Sequence, residues 1–233
     1  MPYKFNPFIK NLDWFEKSTQ NSDSDCIGVN PYLFPYSMDG SLTTINVFYS
    51  AEEIFNALSW TIPEGTEVIV DDSDWKNTIL CKFNGIFCSI QGRLPFEQPL
   101  NRVHVYSLYF VHNPEHYEFR VEAVNNADRY SLRKLSPEGT LQIFKYFNGS
   151  ETILTSTSFS NSAGYKICSF YAGNIPYVKQ TISLRSEKQN TTSLESSDTD
   201  ITSFDSINLF MHSRVEGNNL NIRIVPPLII RGA

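Results

Sequence analysis

The chain has 233 residues and a net charge of −6, with 19 Lys and Arg against 25 Asp and Glu. That leaves room for one large β domain or two small ones but no basic surplus to neutralise a polyanion, which argues against a nucleic-acid partner. Aromatic residues at 14% beside 19% charged residues favour pleated strands over helices, and no apolar run reaches the 18 residues of a membrane span.

Residues 1–25 begin MPYKFNPF, without the charged start and apolar middle of a secretory signal, so the chain reads as made in a cytoplasm. The segment ends in the polar run STQNSDSD and has no core of its own. Its apolar side chains are ill suited to water, and it reads as an extended docking arm presenting Tyr3, Phe5, Pro7, Phe8, Leu12, Trp14 and Phe15 to another surface. Residues 26–40 are an extended connector ending in an Asp39-Gly40 turn. A strand follows over 43–49. Ser50, with Glu53 three positions on, carries the capping-box signature of a helix over 51–59, whose Ile54, Phe55 and Leu58 recur at helical spacing. This helix is expected to plug one end of a β structure. From Thr66 the period becomes two: a strand over 66–70, a turn at DDSDW, and a hairpin over 77–90 around Asn84-Gly85 in which Phe83 faces Ile86 and Cys81 faces Cys88.

Residues 101–112 and 117–124 alternate as strands, the second with Phe119, Val121 and Ala123 inward and Glu118, Arg120 and Glu122 outward. A strand over 129–135 leads through a Pro137-Glu138-Gly139 turn into the clearest hairpin of the chain, 140–157. There Asn148-Gly149 is the dipeptide a two-residue type I′ turn requires. Counting from the Phe147–Ser150 pair places Leu141, Ile143, Phe147, Thr152 and Leu154 on one face and Phe144, Tyr146 and Ile153 on the other, so the pair is expected to be covered on both sides. Strands over 165–171 and 176–184 follow. Residues 185–203, rich in Ser, Thr and acids, read as an exposed loop or linker, and 204–233 as a C-terminal hairpin around Gly217-Asn218 with a docking tail. Pro226-Pro227 is expected to bar the last segment from a central strand, leaving Leu228, Ile229 and Ile230 to contact a neighbouring subunit.

About a dozen short strands with turn signals every 8 to 12 residues predict an all-β fold, an antiparallel sandwich or jelly roll over 26–184 with one short helix. Phe5, Asn6, Pro7, Phe8, Leu12 and Asp13 resemble the opening segment FNPFTGxLD of tailed-bacteriophage structural proteins, with Ile9-Lys10 where that family has Thr-Gly. The resemblance implies a virion protein of the tail, baseplate or fibre apparatus, assembled in the host cytoplasm and docked on other virion proteins as a homo-oligomer. A capsid decoration protein is the alternative. Residues 101–184, with YEFRVEAV and TLQIFKYFNG, resemble concanavalin-like lectin sandwiches, which implies a carbohydrate-binding module for a host surface glycan.

The residues with chemistry to offer give no enzyme. No serine sits in G-x-S-x-G, no Gly-rich phosphate loop exists, and Glu118 and Glu122 lie about 13 Å apart by strand rise, too far for a glycosidase pair. They read as a soluble face. His112 and His116 have a zinc-like spacing, but Asn113-Pro114 puts them in a turn without further ligands, and Asp71, Asp72 and Asp74 lack the Gly-punctuated order of a calcium loop, so neither a metal nor a cofactor is expected. Four cysteines (Cys26, Cys81, Cys88 and Cys168) are too sparse for a disulfide framework, and Cys81 and Cys88 read as reduced core thiols. Trp60, Trp75, Tyr106, Phe110 and Tyr171 fall at strand ends or on outward phases, where they form either a ligand platform or the second buried face of a sandwich.

Overall fold

The computed structural model describes residues 43–72, 77–112, 116–159, 164–173, 177–183, 189–217 and 219–232. These lie in one unit, Ser41–Ala233. In chain order they form β1 (Thr43–Phe48), α1 (Ala51–Ala57), β2 (Ser59–Thr61), β3 (Thr66–Asp71), β4 (Thr78–Asn84), β5 (Ser89–Leu100), β6 (Val103–His112), β7 (Tyr117–Asn125) and β8 (Asp128–Leu135). Then come β9 (Thr140–Phe147), β10 (Ser150–Ser158), β11 (Gly164–Ala172), β12 (Tyr177–Ser183), β13 (Gln189–Glu195), β14 (Phe204–Ser213) and β15 (Asn219–Gly232). Sheet I runs β13-β12-β11-β6-β15-β4-β3, with β1 against the far half of β15, and sheet II runs β10-β9-β8-β7-β14-β5-β2.

Alternation explains why the two sheets face each other. In β7 the inward Phe119, Val121 and Ala123 are buried to 1% or less, and in β6 Val103, Val105, Tyr109 and Val111 do the same from the opposite sheet. Tyr109 of sheet I stacks on Phe119 of sheet II at 3.8 Å between ring centroids and 14° between planes. Burying each such ring is worth about 1.5–3 kcal/mol, so contacts of this kind hold the layers together. Among the described residues, the antiparallel sandwich with one short helix is therefore the observed fold.

Local signals account for much of it. The Ser50 hydroxyl accepts from Glu53 N at 3.1 Å and the Glu53 carboxylate accepts from Ser50 N at 3.2 Å, the reciprocal capping box. The helix stops at Ala57, two residues short of expectation, because Leu58 turns to extended backbone and Ser59 enters β2. Ala51, Ile54 and Leu58 join the core. Asn148 and Gly149 take φ of 51° and 79°, and Phe147 pairs with Ser150, as a type I′ turn requires. Leu141 and Ile143 are fully buried, but the hairpin's other face is not covered by a second layer: Ile153 is 51% exposed, and Phe144 lies under arginine side chains.

Three expectations are corrected. Asn84-Gly85 makes no hairpin, since only Gly85 has positive φ, and β4 pairs with β3 and β15 while β5 crosses to sheet II. Cys81 thus lies opposite Ile222 and Val68, and Cys81, Cys88 and Cys168 are free thiols. The stretch 185–203 contains β13, and beyond it Asp198 and Asp200 both bind Lys145 while Ile201 is buried, so it is not simply an exposed linker. β14 and β15 form no hairpin, because they lie in opposite sheets.

Nor is the C-terminal stretch a docking tail. β15 is a central strand, with Leu228 and Ile230 fully buried and Ile229 half-buried. It tolerates two prolines because they fall where ladders break. On one edge Ile224 is the last partner of β4 and Leu228 the first of β1, and on the other the β6 register slips between Val225 and Ile229. No ladder bond asks for the missing N–H groups there. Residues 1–40, with all the arm residues named above, lie outside the described residues, as do Asp74 and Trp75.

Candidate functional site

Strand residues two apart share a face, and antiparallel partners sit opposite one another. On the outer face of sheet II this builds rows of side chains. One row reads Gln91, Phe210, Arg120, Arg133 and Gln142, and the next Arg93, Asn208, Glu122, Ser131 and Phe144. A third brings Arg129 beside Val124 and Tyr146. Arginines from β5, β7 and β8 therefore stand around Glu122 of β7 on this face.

Glu122 sits at the centre with its side chain 6% exposed. It accepts from Ser131 Oγ and Asn208 Nδ2, each at 3.2 Å, and faces Arg129 Nε at 3.3 Å and Arg120 Nη1 at 3.6 Å. Arg120 Nε also donates to Glu118 at 2.5 Å. Arg133 donates from Nη1 to Glu151 at 2.9 Å and from Nε to Gln142 at 3.0 Å. The guanidiniums lie over aromatic rings: Arg133 over Phe144 at 4.3 Å, Arg120 over Phe210 at 4.5 Å and Arg129 over Tyr146 at 4.5 Å. Each such contact adds about 0.5–2 kcal/mol. Glu118 and Glu122 do face outward as the alternation predicts, yet they are the buried anions of an ion-pair lattice and not a solvated face.

Beside this lattice lies a hollow of about 460 Å³, bordered by Gln91, Arg93, Arg129, Asn126, Tyr146 and Phe210 with Glu122, Arg120 and Asn208. That volume is in the range of small-ligand sites. Asn208 Oδ1 and Arg129 Nε are buried there without a hydrogen-bond partner. At the rim, Asp205 accepts from Ser206 Oγ, Asn126 N and Arg93 Nη2. Burial pushes its carboxyl up, but these bonds outweigh burial and hold it below the usual carboxylate range.

The aromatic residues singled out from sequence do not converge. Trp60 lies on the edge strand β2, its Nε1 donating to Phe55 O at 2.9 Å and its ring stacked on Phe55. Tyr106 and Tyr171 belong to the outer face of sheet I, where both rings meet His104 at 4.1 and 5.9 Å, and Tyr106 is buried. Phe110 is half-buried on β6. Asp71 is held by Arg223 Nη1 at 2.5 Å, and Asp72 accepts from Asn77 N at 3.1 Å. Among the described residues, no three metal-ligating side chains come together. The His112 side chain lies outside them.

Two serine–histidine contacts were not visible in the sequence, because their members are 65 and 123 residues apart: His104 Nε2 to Ser169 Oγ at 2.8 Å and His212 Nδ1 to Ser89 Oγ at 2.9 Å. The second is not an activated nucleophile. His212 Nδ1 also meets Cys88 O at 2.8 Å, and a carbonyl only accepts, so that nitrogen carries a proton and cannot take the one on Ser89. Glu118, its neighbour across the ladder, is held by Arg120. The His104 pair is buried, with burial first and the Arg231 charge second lowering the imidazole pKa to about 4.

No protein-family model matches the sequence, and no curated protein matches it. Among solved structures, the botulinum neurotoxin serotype D/C VPI 5993 binding domain superposes with a TM-score of 0.54 at 10% identity, over 80% of this chain and 48% of that one. A protein of unknown function from Shewanella oneidensis MR-1 gives 0.50 at 14% identity, over 81% and 86%. The CBM2 module of the evolved Dit of Lactobacillus casei BL23 phage J-1 gives 0.43 at 11%, over 62% and 68%. The chain spans about half the length of the neurotoxin domain, and the likeness is one of fold.

Proposed function

We propose that this chain is a non-catalytic β-sandwich component of a tailed-phage virion, in the tail, baseplate or fibre apparatus, and that the hollow on sheet II is where it holds a glycan of the host surface. The binding half rests on one observation: a concave site of about 460 Å³ that combines fork-shaped donors, side-chain amides and aromatic rings on a rigid sheet, with the buried Asn208 Oδ1 still lacking a donor. Sugars present hydroxyl groups and apolar ring faces together, and this set of side chains answers both. The virion half is supported by the opening segment Phe5-Asn6-Pro7-Phe8 with Leu12-Asp13. The absence of catalysis is supported by the protonated His212 Nδ1 beside Ser89.

The test joins a glycan array, probed with the full chain, to mass spectrometry of purified virions. Array signal that disappears in Arg120→Ala, together with peptides of this chain in the particle, is the expected result. An empty array overturns the glycan reading, and a particle lacking the chain overturns the virion reading.

A further inference from the structure

We infer that the ligand of the sheet II hollow is an acidic sugar, a pyranose carrying a carboxylate, bound with its anion toward Arg93 and Arg129 and a hydroxyl on Asn208. This rests on the glycan reading above and adds the charge and the orientation. Three guanidiniums (Arg93, Arg120 and Arg129) border the hollow, and each has a carboxylate partner, Asp205 at the rim, Glu118 and Glu122 respectively, in a chain whose net charge is −6. What the site offers an anion is therefore the guanidinium N–H groups that these pairs leave over.

The hydrogen-bonding capacity left over says where that anion goes. Arg120 is committed to Glu118 and Glu122 and stacks on Phe210, so it belongs to the floor. Arg93 donates from Nε to Ser206 Oγ at 3.1 Å and from Nη2 to Asp205 at 3.2 Å, which leaves Nη1. Its side chain is 50% exposed, so the pair with Asp205 is weak and easily exchanged. Arg129 donates from Nη1 to Ala127 O at 3.3 Å, faces Glu122 with Nε, and keeps Nη2. Planar forks of this kind suit a carboxylate better than a point charge would. Beside Arg93 in its row, Asn208 donates Nδ2 to Glu122 and leaves its buried Oδ1 as an acceptor without a donor. A carboxylate cannot satisfy that oxygen, whereas a hydroxyl can, and a sugar acid offers both groups. Arg93 and Arg129 sit on β5 and β8, three strand spacings across and two residues along, or about 16 Å apart, a span that long side chains can close around one sugar ring.

The experiment titrates the full chain with cellobiose, with its uronic-acid counterpart and with tri-glutamate, by calorimetry at 50 and 300 mM NaCl. The expected order is the uronic acid about tenfold or more tighter than cellobiose, weakened by salt, with tri-glutamate weaker than either. Arg93→Gln, a half-exposed position that the fold tolerates, should remove about tenfold from the uronic acid and less than twofold from cellobiose. Equal binding of the two sugars, or an unchanged uronic-acid affinity in Arg93→Gln, overturns the acidic-sugar inference and leaves the glycan reading standing. Tri-glutamate binding as tightly as the uronic acid overturns the sugar requirement. No binding of either sugar, with the fold intact by thermal melting, overturns both.

Discussion

His104 should make this protein sensitive to mild acid in a way that one substitution removes. Its ring is 4% exposed, packed between Tyr106 and Tyr171, with Nε2 on Ser169 Oγ and Nδ1 without a partner. Burial first, and the Arg231 charge second, lower its pKa to about 4 from 6.5. A depressed histidine pKa means that the unfolded chain binds the proton more readily. The stability from keeping the ring neutral is therefore fully present above about pH 6.5 and is lost as pH falls toward 4. Over that window the loss approaches about 3 kcal/mol, or about 6–12 °C in Tm for a domain of this size. Asp198, Asp205 and Glu138, each held below the ordinary carboxylate range, also weaken the fold in acid, so the signal is a difference between two proteins. His104→Gln cannot take up the proton. It should melt below the parent at pH 7, and the gap should close or reverse by pH 4.5 in buffers of matched ionic strength. Parallel melting curves across pH 4–7 would refute the assignment of this acid sensitivity to His104.

Substitutions at two further positions test the sheet II lattice and its support. Glu122→Ala leaves Asn208 Nδ2, Ser131 Oγ and two guanidiniums without their shared anion, at a cost of about 3 kcal/mol, and Glu122→Gln should cost about half as much. Urea unfolding at pH 7 measures this, the loss should hold in 1 M NaCl because the carboxylate is 6% exposed, and a change below about 0.5 kcal/mol would contradict the lattice. Gly92→Ala places a Cβ 2.9 Å from Trp60 Cζ3 and 3.0 Å from Leu58 Cδ1, so overpacking should destabilise by about 1–3 kcal/mol and shift the tryptophan emission as Trp60 leaves the Phe55 carbonyl. Unchanged emission and stability would mean that the ring has room to move.

The same dipeptide shows what local sequence can and cannot specify. Asn148-Gly149 turns its strands into a hairpin, whereas Asn84-Gly85 sends the chain from one sheet to the other. The difference lies outside the dipeptide: the apolar face of β4 (Ile79, Cys81 and Phe83) is completed by Leu220, Ile222 and Ile224 of β15, some 140 residues later. Period-two alternation correctly turned Phe119, Val121 and Ala123 inward and Glu118, Arg120 and Glu122 outward. It could not reveal that Asn208, Gln91 and Arg93 would stand beside them, since strand order is set by long-range pairing. A usable signal was present in the outward phases of β7 and β8, where Arg120, Arg129 and Arg133 recur with two glutamates. Charges of both signs on adjoining strands suit an ion-pair lattice better than a merely solvated face.

The lattice also explains how the hollow is held in shape. Unpaired arginines beside Phe210 and Tyr146 would repel one another and splay into solvent, leaving the rings to collapse together. Glu122 prevents this by facing Arg120 and Arg129 at once, and each guanidinium then covers a ring that would otherwise seek an apolar partner. The floor is rigid because its side chains are fixed by ladder register, while Arg93 at the edge is half-exposed and free to exchange partners. A ligand therefore meets a preformed base and one adjustable arm, and little ordering opposes binding.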